Sequence, residues 1–394
     1  MQTDFLMEKH MKLLIPCASG VEASVKRQLK ELGYGECPAI NGRISLEGDW
    51  SDIARLNVFL RSGERVLISL GEFPARTFDE LFDGVLNLPF EEYLSPHSQI
   101  RMDGKCFKSA LMAVKATGGV AKKAVVQRLK EKLNVRSLDE RGERAIVGVS
   151  IFEDRATITL DTSGDGLHKR GYRTLSYDAP LKETVAASMI ESSFYRAGKP
   201  FADLFCGSGT LPIEAALYAL RIAPGAKRDF DFTRWKCAPN VLPKARQEAE
   251  ELRDRATKLE LYACDISDKA ISIAQYHAKR AGVAEHIRFK QADMRSFTSS
   301  EKYGVIISNP PYGERLEKGI DLAPLYKDFA RVYRSLPDWS CYFLSGFDGA
   351  ERAFGKRADK RRKLYNANLE CGFYAFLGAK PNHTGDKVFG SVKE

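Results

Sequence analysis

The hydrophobic pattern changes character partway along the chain. Up to about residue 164, short apolar runs of period two alternate with stretches of period three to four. Lys12–Ile15, Arg43–Leu46, Arg65–Leu70 and Gln99–Met102 read as strands. Val21–Leu32 reads as an amphipathic helix stopped by Gly33, and Trp50–Phe59, Thr77–Val85 and a long stretch from about Ser109 to Leu133 as further helices. Ala145–Ile151 and Ala156–Leu160 predict a hairpin across Phe152-Glu-Asp-Arg155. This first half is α+β, and the turn formers Asp161-Thr-Ser-Gly-Asp-Gly166 close it.

Beyond that boundary strands and helices alternate, the pattern of a doubly wound parallel sheet. A helix is expected from Asp178-Ala-Pro-Leu-Lys-Glu183 to about Ala197, then a buried strand Phe201–Phe205. The chain turns at Gly207 and Gly209 and enters a helix, Leu211–Leu220, with Thr210 as N-cap and Pro212 tolerated in the first turn. A polar, aromatic insertion (Ala223–Trp235) and a charged helix (Lys244–Thr257) follow. Strand Leu259–Ala263 ends at Asp265, Ile287–Lys290 at Asp293 and Val305–Ser308 at Asn309, with a helix over Asp268–Ala281. Helix Leu325–Ser335 and strands Ser340–Ser345, Lys363–Asn366 and Cys371–Leu377 complete the order.

Composition narrows the class. With 394 residues, 44% hydrophobic and 29% charged, the chain has ample material for two or three packed domains. No apolar run approaches the roughly 18 residues of a membrane span. The opening Met1–His10 carries acids where a signal peptide is basic, so a cytoplasmic protein is expected. Eight scattered cysteines without a Cys-x-x-Cys point to reduced core thiols, with neither a disulfide framework nor a metal site.

The net charge of +9 lies entirely in the second half: residues 1–164 hold 23 charges of each sign, the remainder 38 basic and 29 acidic. Within the first half, Lys105–Arg136 is nonetheless lopsided, with nine basic residues, among them Lys105, Lys108, Lys115, Lys122, Lys123 and Arg128, and one acid, Glu131. A solvated helix face and a footprint for phosphates both fit this pattern. The cluster His168, Lys169, Arg170, Tyr172 and Arg173 reads as a surface for phosphate contact and base stacking. A third basic run, Arg352–Lys363, has seven basic residues and one acid, as a solvated loop would.

The chemistry is concentrated at strand ends. In a parallel sheet Asp203, Asp265, Asp293 and Asn309 fall on the carboxyl edge and line one crevice. There Asp265 suits ribose hydroxyls, Asp293 an adenine amino group and Asp203 the cationic end of a ligand. The glycine turn lacks the lysine of a phosphate-cradling loop and the third glycine of a dinucleotide fingerprint. Asn309-Pro-Pro-Tyr312 adds a rigid extended turn, which lets the Asn309 side chain and the Pro310 carbonyl converge as two acceptors. Their natural target is an exocyclic amine; accepting both of its hydrogens draws the nitrogen lone pair out of ring conjugation. Tyr312 offers a face for a base taken out of its stack.

Asp203-Leu-Phe-Cys-Gly-Ser-Gly-Thr210 followed by Asn309-Pro-Pro-Tyr312 resembles the class I S-adenosylmethionine-dependent amino-methyltransferases. Ser163–Arg173, Ala179-Pro-Leu-Lys-Glu183, Ile222-Ala-Pro-Gly225 and Arg362-Lys-Leu-Tyr-Asn366 are similar to segments of bacterial THUMP-domain RNA methyltransferases. These are the proteins related to the guanine-N2 methyltransferase half of the enzyme acting on large-subunit ribosomal RNA, often labelled N6-adenine-specific DNA methylases. The resemblance implies a ferredoxin-like region over 1–70, a THUMP RNA-binding domain over 71–164 and a Rossmann-like methyltransferase domain over 165–394. It implies S-adenosylmethionine contacts from Asp203, Cys206, Gly207, Ser208, Gly209, Thr210, Asp265, Ile266, Asp293 and Met294. The target base would lie against Asn309, Pro310, Pro311 and Tyr312, and the partner would be RNA, large-subunit ribosomal RNA foremost. A transfer-RNA guanine, a DNA adenine amine and a non-catalytic RNA-binding role are the competing expectations. Two segments depart from the family wording: Phe205-Cys206 stands for Met-Cys, and Cys264-Asp-Ile-Ser267 for a Gly-x-Asp-x-Asp type.

Overall fold

The computed structural model describes residues 10–40, 42–175, 181–312, 321–366 and 369–380. The chain forms two units, each drawn from three stretches: residues up to Cys17, Leu29–Leu167 and Gly225–Ala249 in the first, and Ala18–Gln28, His168–Pro224 and Glu250 onward in the second.

The first unit carries a seven-stranded sheet in the order β2-β3-β1-β4-β7-β6-β5. Its strands are β1 (Met11–Pro16), β2 (Ala39–Ile40), β3 (Arg43–Gly48), β4 (Leu67–Pro74), β5 (Gln99–Phe107), β6 (Arg144–Phe152) and β7 (Arg155–Asp161). β4 crosses position 70 and pairs with β1 on one side and β7 on the other, so the ferredoxin-like and THUMP regions share one sheet. Helix Trp50–Phe59 forms where the pattern predicts it, because Asp49 and Asp52 close a capping box at its N-terminus. The long helix begins at Val114, five residues later than expected. Ser109 is otherwise engaged, its hydroxyl donating to Phe107 O, and the Ala110 N–H donates to Asp154. That helix supplies the crossover between β5 and β6, the parallel pair of this sheet.

The insertion after Pro224 packs with this first unit, although it lies far along the chain from the rest. Trp50 stacks with Phe232 at 6.2 Å and meets Trp235 edge-on at 6.4 Å. Arg144 grips Asp231 through two bonds of 2.6 and 2.9 Å. A Cβ at Gly225 would come within 2.4 Å of the Asn57 carbonyl, which only glycine avoids here.

The second unit has the order β10-β9-β8-β11-β12-β14-β13. Its strands are β8 (Phe201–Asp203), β9 (Leu261–Asp265), β10 (Ile287–Gln291), β11 (Val305–Ser308), β12 (Ser340–Ser345), β13 (Lys360–Asn366) and β14 (Leu369–Phe376). The five strands β8 to β12 run parallel, β14 alone reverses, and β13 beyond it runs with the five again, which is the Rossmann-like arrangement of the α/β class expected for residues 165–394. β8 is shorter than its apolar run. The Leu204 N–H leaves the ladder for Ser308 Oγ and the Phe205 N–H for Asp203 Oδ1.

Two helices also end early where side chains compete for backbone groups. The helix expected to reach Ala197 spans Glu183–Glu191, because Ser193 donates to Ile190 O and accepts from the Tyr195 N–H. Its expected start over 178–180 lies outside the described residues. Leu242–Glu251 stops before Asp254, which accepts from Ala256, Thr257 N–H and Thr257 Oγ1 in a tight turn. Phe329, Phe343, Phe354 and Phe376 are buried together beside β12, with Phe354 and Phe376 at 4.3 Å. No helix among the described residues is long and apolar enough to cross a membrane.

Candidate active site

The parallel strands bring Asp203, Asp265 and Ser308 to one edge, at the point between β8 and β11 where the strand order reverses. Hydrogen bonds tie these strand ends together. Ser308 Oγ donates to Asp203 Oδ1 at 2.8 Å, and the Gly207 N–H donates to Asp265 Oδ2 at 3.0 Å. The Cys206 N–H reaches Cys264 O and the Ala292 N–H reaches Asp265 O, which sets the approach to Asp293.

Gly207 and Gly209 have φ of +51° and +86°. Gly209 is the cap of helix Thr210–Ala219, and a Cβ there would also meet Ala274 Cβ at 2.9 Å. Glycine therefore lets the turn lie close on helix Asp268–Ala281 and keeps bare backbone at a helix N-terminus. From that second helix His277, fully buried, points Nδ1 at Ser208 O, 3.1 Å away. A carbonyl only accepts, so Nδ1 carries the proton. Burial holds His277 below its usual titration range, so the ring is neutral. Reasoning from motifs passed over His277; its place on the helix stripe with Ala270, Ile273 and Ala274 was the available signal.

Asp203 is 1% exposed, and burial pushes its carboxyl up to about 7. Burial likewise raises the Cys206 thiol well above its usual value, so it is a neutral wall of the site. Ile266, just past Asp265, is 71% exposed, an apolar surface beside an acid. Asp293 caps a short 3-10 turn, receiving the Arg295 N–H at 2.8 Å and the Arg295 guanidinium at 2.7 Å, while Met294 beside it is buried. A glycine turn, a ribose-height acid, an exposed apolar side chain and a second acid fit an adenosyl ligand.

Asn309 directly follows the fully buried strand β11 and is itself 6% exposed. Its Oδ1 is buried yet meets no hydrogen-bond donor among the described residues. Such an acceptor costs about 1–3 kcal/mol unless something fills it. Pro310 and Pro311 follow directly, and Tyr326 Oη lies 3.5 Å from Pro311 O. Tyr312 is 5% exposed; its hydroxyl accepts from Asn366 Nδ2 at 3.1 Å, and a Cβ at Gly346 would come within 3.0 Å of its ring.

The basic residues expected to touch RNA divide sharply. Arg170 and Tyr172 are corrected: both are buried, Arg170 paired with Glu214 at 3.4 Å and Tyr172 Oη donating to the same carboxylate at 3.1 Å. Arg173 is half-buried and ties Thr210 Oγ1 (2.6 Å) to Leu181 O (2.8 Å), bracing the start of the glycine-turn helix. His168 is half-buried and Lys169 exposed. Lys122 is spent on Ile100 O and Glu140, and Arg128 on Glu91 at 2.6 Å, so these two hold the first unit together instead of facing a ligand. Lys105, Lys108, Lys115 and Lys123 are exposed. Beside the first two, Phe107 is 57% exposed and stacks on Phe152 at 5.9 Å, with Lys108 Nζ 5.6 Å from its ring. The interleaved Lys105-Cys-Phe-Lys108 was the signal for Phe107.

Three family profiles match the chain: the RlmL ferredoxin-like domain over 12–67, the THUMP domain over 75–161 and the RMKL-like methyltransferase domain over 170–375. The candidate RNA methyltransferase YpsC of Bacillus subtilis (strain 168) is 38% identical over 371 residues, covering 93% of this chain and 96% of that protein. The ribosomal RNA large subunit methyltransferase K/L of Psychromonas ingrahamii is 32% identical over 370 residues, covering 92% of this chain and 49% of the relative. The chain thus spans about half the length of that curated relative. Among solved structures, SMU.472, a candidate methyltransferase complexed with SAH, superposes with a TM-score of 0.89 at 38% identity, covering 95% of this chain and all of that one. A Listeria monocytogenes str. 4b F2365 protein named a predicted N6-adenine-specific DNA methylase does so at 0.89 and 42%, covering 95% of this chain and 98% of its own. With a profile covering more than half its length and a near full-length relative at 38% identity, the chain belongs to the RMKL-like methyltransferases that carry ferredoxin-like and THUMP domains ahead of the catalytic one.

Proposed function

We propose that this protein transfers a methyl group from S-adenosylmethionine to the exocyclic N2 amine of a guanine in RNA, with large-subunit ribosomal RNA as the substrate. The observation that carries the reading is the buried Oδ1 of Asn309, just past the end of β11, which meets no hydrogen-bond donor among the described residues. Asn309 Oδ1 and the Pro310 carbonyl accept the two amine hydrogens and aim the nitrogen, so that position and orientation supply much of the rate. As the N–C bond forms the sulfur–methyl bond would break, the sulfur leaving as a neutral thioether; the methylated amine then sheds its proton to water, so no strong base is required of the chain, and the neutral Cys206 takes no part as a nucleophile.

The bound cofactor supplies an electrophilic methyl. Gly207 and Gly209 would admit it against bare backbone, Asp265 would receive its ribose, and Ile266 and Met294 would flank its adenine near Asp293. Asp203 would face its cationic end. Ser208 and Thr210, fixed by His277 and Arg173, hold the turn in shape. Asn309-Pro-Pro-Tyr suits an adenine N6 amine equally well, and the name of the Listeria neighbour points that way. The RNA reading rests on the THUMP match and on the names of the relatives YpsC and K/L. On the same reading the enzyme works in the cytoplasm.

Nucleoside analysis of RNA and DNA from a strain lacking the protein tests this. Loss of one N2-methylguanosine from large-subunit ribosomal RNA, restored by the wild type and not by Asn309→Ala, is the expected result. Lost adenine methylation in DNA with an unchanged RNA profile would overturn it, and loss of a transfer-RNA N2-methylguanosine would move the substrate. Purified Asn309→Ala should still bind S-adenosylmethionine within a few-fold of wild type.

A further inference from the structure

The basic run Arg352–Lys363, which reads as a solvated loop in the sequence, is built around the edge strand of the second sheet. Its last four residues open β13, which among the described residues is the outermost strand, paired on one side only, with β14. Lys360, Arg361, Arg362 and Lys363 are consecutive, all exposed, and all on this strand.

Three of the acids nearby are already engaged. Asp359 takes Lys356 at 3.2 Å and the Leu377 N–H at 2.8 Å, Glu370 takes Lys363 at 2.8 Å and Tyr365 Oη at 2.9 Å, and Glu351 takes the Ala358 N–H at 2.6 Å. Arg361 lies over the Tyr374 ring at 5.1 Å. That leaves Arg352, Arg357, Lys360 and Arg362 without an ion pair among the described residues. Some arginines elsewhere are matched, as Arg128 with Glu91, Arg144 with Asp231 and Arg295 with Asp328, while here four cations crowd one short stretch without a matching acid among the described residues. Neighbouring cations without counter-charges repel one another, and a polyanion removes that cost.

The strand also has a direction. Its last residue, Asn366, donates to Tyr312 Oη at 3.1 Å, so β13 runs from the cationic end straight to the Asn-Pro-Pro-Tyr segment. At about 3.3 Å per residue, Lys360 lies roughly 20 Å from Asn366 along the strand, the reach of several nucleotides and too far for the target nucleotide itself.

We propose that β13 and the turn before it form an RNA-backbone track in the catalytic unit, in which Arg357, Lys360 and Arg362 bind phosphates flanking the target nucleotide and lead the strand to Tyr312. The track rests on the RNA reading above. Edge strands also carry lysines simply to block pairing with other sheets; the test separates the two roles.

The triple variant Arg357→Gln/Lys360→Gln/Arg362→Gln is compared with wild type and with Arg357→Lys/Arg362→Lys, using deproteinised large-subunit ribosomal RNA from a strain lacking the protein. Expected for the Gln variant are an unchanged melting temperature and S-adenosylmethionine affinity, and an RNA KM raised about tenfold with little change in kcat. The log–log salt slope of RNA binding should fall by about two, and the Lys variant should keep the wild-type slope. An RNA affinity and slope equal to wild type overturn the track, as does a Gln variant whose sole change is self-association. If wild-type protein neither binds nor methylates this RNA, the RNA reading itself fails, a result distinct from a wild type that is active and a Gln variant that matches it.

Discussion

Asp203 shows how one side chain can serve two charge states. Its carboxyl is buried between Ser308 Oγ and the Phe205 N–H, and burial lifts it to about 7. The folded value stands above the unfolded one, near 3.9. Its contribution to stability is therefore complete below that unfolded value and is lost as pH rises through about 7. Cofactor binding has the opposite sign, because a cationic ligand beside Asp203 favours the carboxylate. Affinity for S-adenosylmethionine should climb by roughly tenfold between about pH 6 and pH 8, and Asp203→Asn should flatten that slope. Titration calorimetry at the two pH values decides it; an Asn variant with the wild-type pH slope would show that another group is responsible.

At the scale of elements, the glycine turn owes its shape to a helix it does not belong to. Helix Asp268–Ala281 presents Ala274 to Gly209 and His277 to Ser208 O, so turn and helix fit only with glycine at 209. Gly209→Ala meets both a φ of +86° and a 2.9 Å contact with Ala274 Cβ. The expected cost is about 1–3 kcal/mol of stability, together with a loss of cofactor affinity of at least about tenfold. Thermal melts with and without S-adenosylmethionine read both effects. A variant whose melting temperature still rises with cofactor as the wild type's does would remove the turn from the binding site.

For the whole molecule, the count of positive charges says less than their pairing. Lys122 and Arg128 sit in the same basic run as Lys105, Lys108 and Lys123, yet the first two are engaged with acids and the others are exposed. Substituting Lys105, Lys108 and Lys123 together with Ala should lower the salt slope of RNA binding by about two and leave the melting temperature alone. Arg128→Ala should do the reverse. It frees Glu91 and costs about 1 kcal/mol, discounted for the partial exposure of the pair, without altering the slope. Equal effects of the two sets on RNA binding would mean that pairing in the free protein does not decide which cations reach RNA.

Local chemistry is what the sequence by itself determined. Strand and helix order follows from apolar period. Helix Trp50–Phe59 follows from its capping box, and the glycine turn and the acids and amide at β8, β9 and β11 from short-range turn signals. These are decided by residues a few positions apart, so a single chain suffices to read them. Ends of elements drifted where a side chain recruited a backbone group, as Ser193 and Asp254 do. Tertiary structure alone decided the rest. It made one sheet of two regions through β4, and it returned the 225–249 segment to the first unit through Trp50 and Arg144. It also chose partners for the cations: Arg128 met an acid 37 residues away, Arg170 one 44 away and Arg144 one 87 away. A guanidinium carries no local mark of its partner. It pairs with whichever carboxylate the fold brings within reach, and only the folded chain shows which cations, such as Lys360 and Arg362 of β13, have no acid beside them among the described residues.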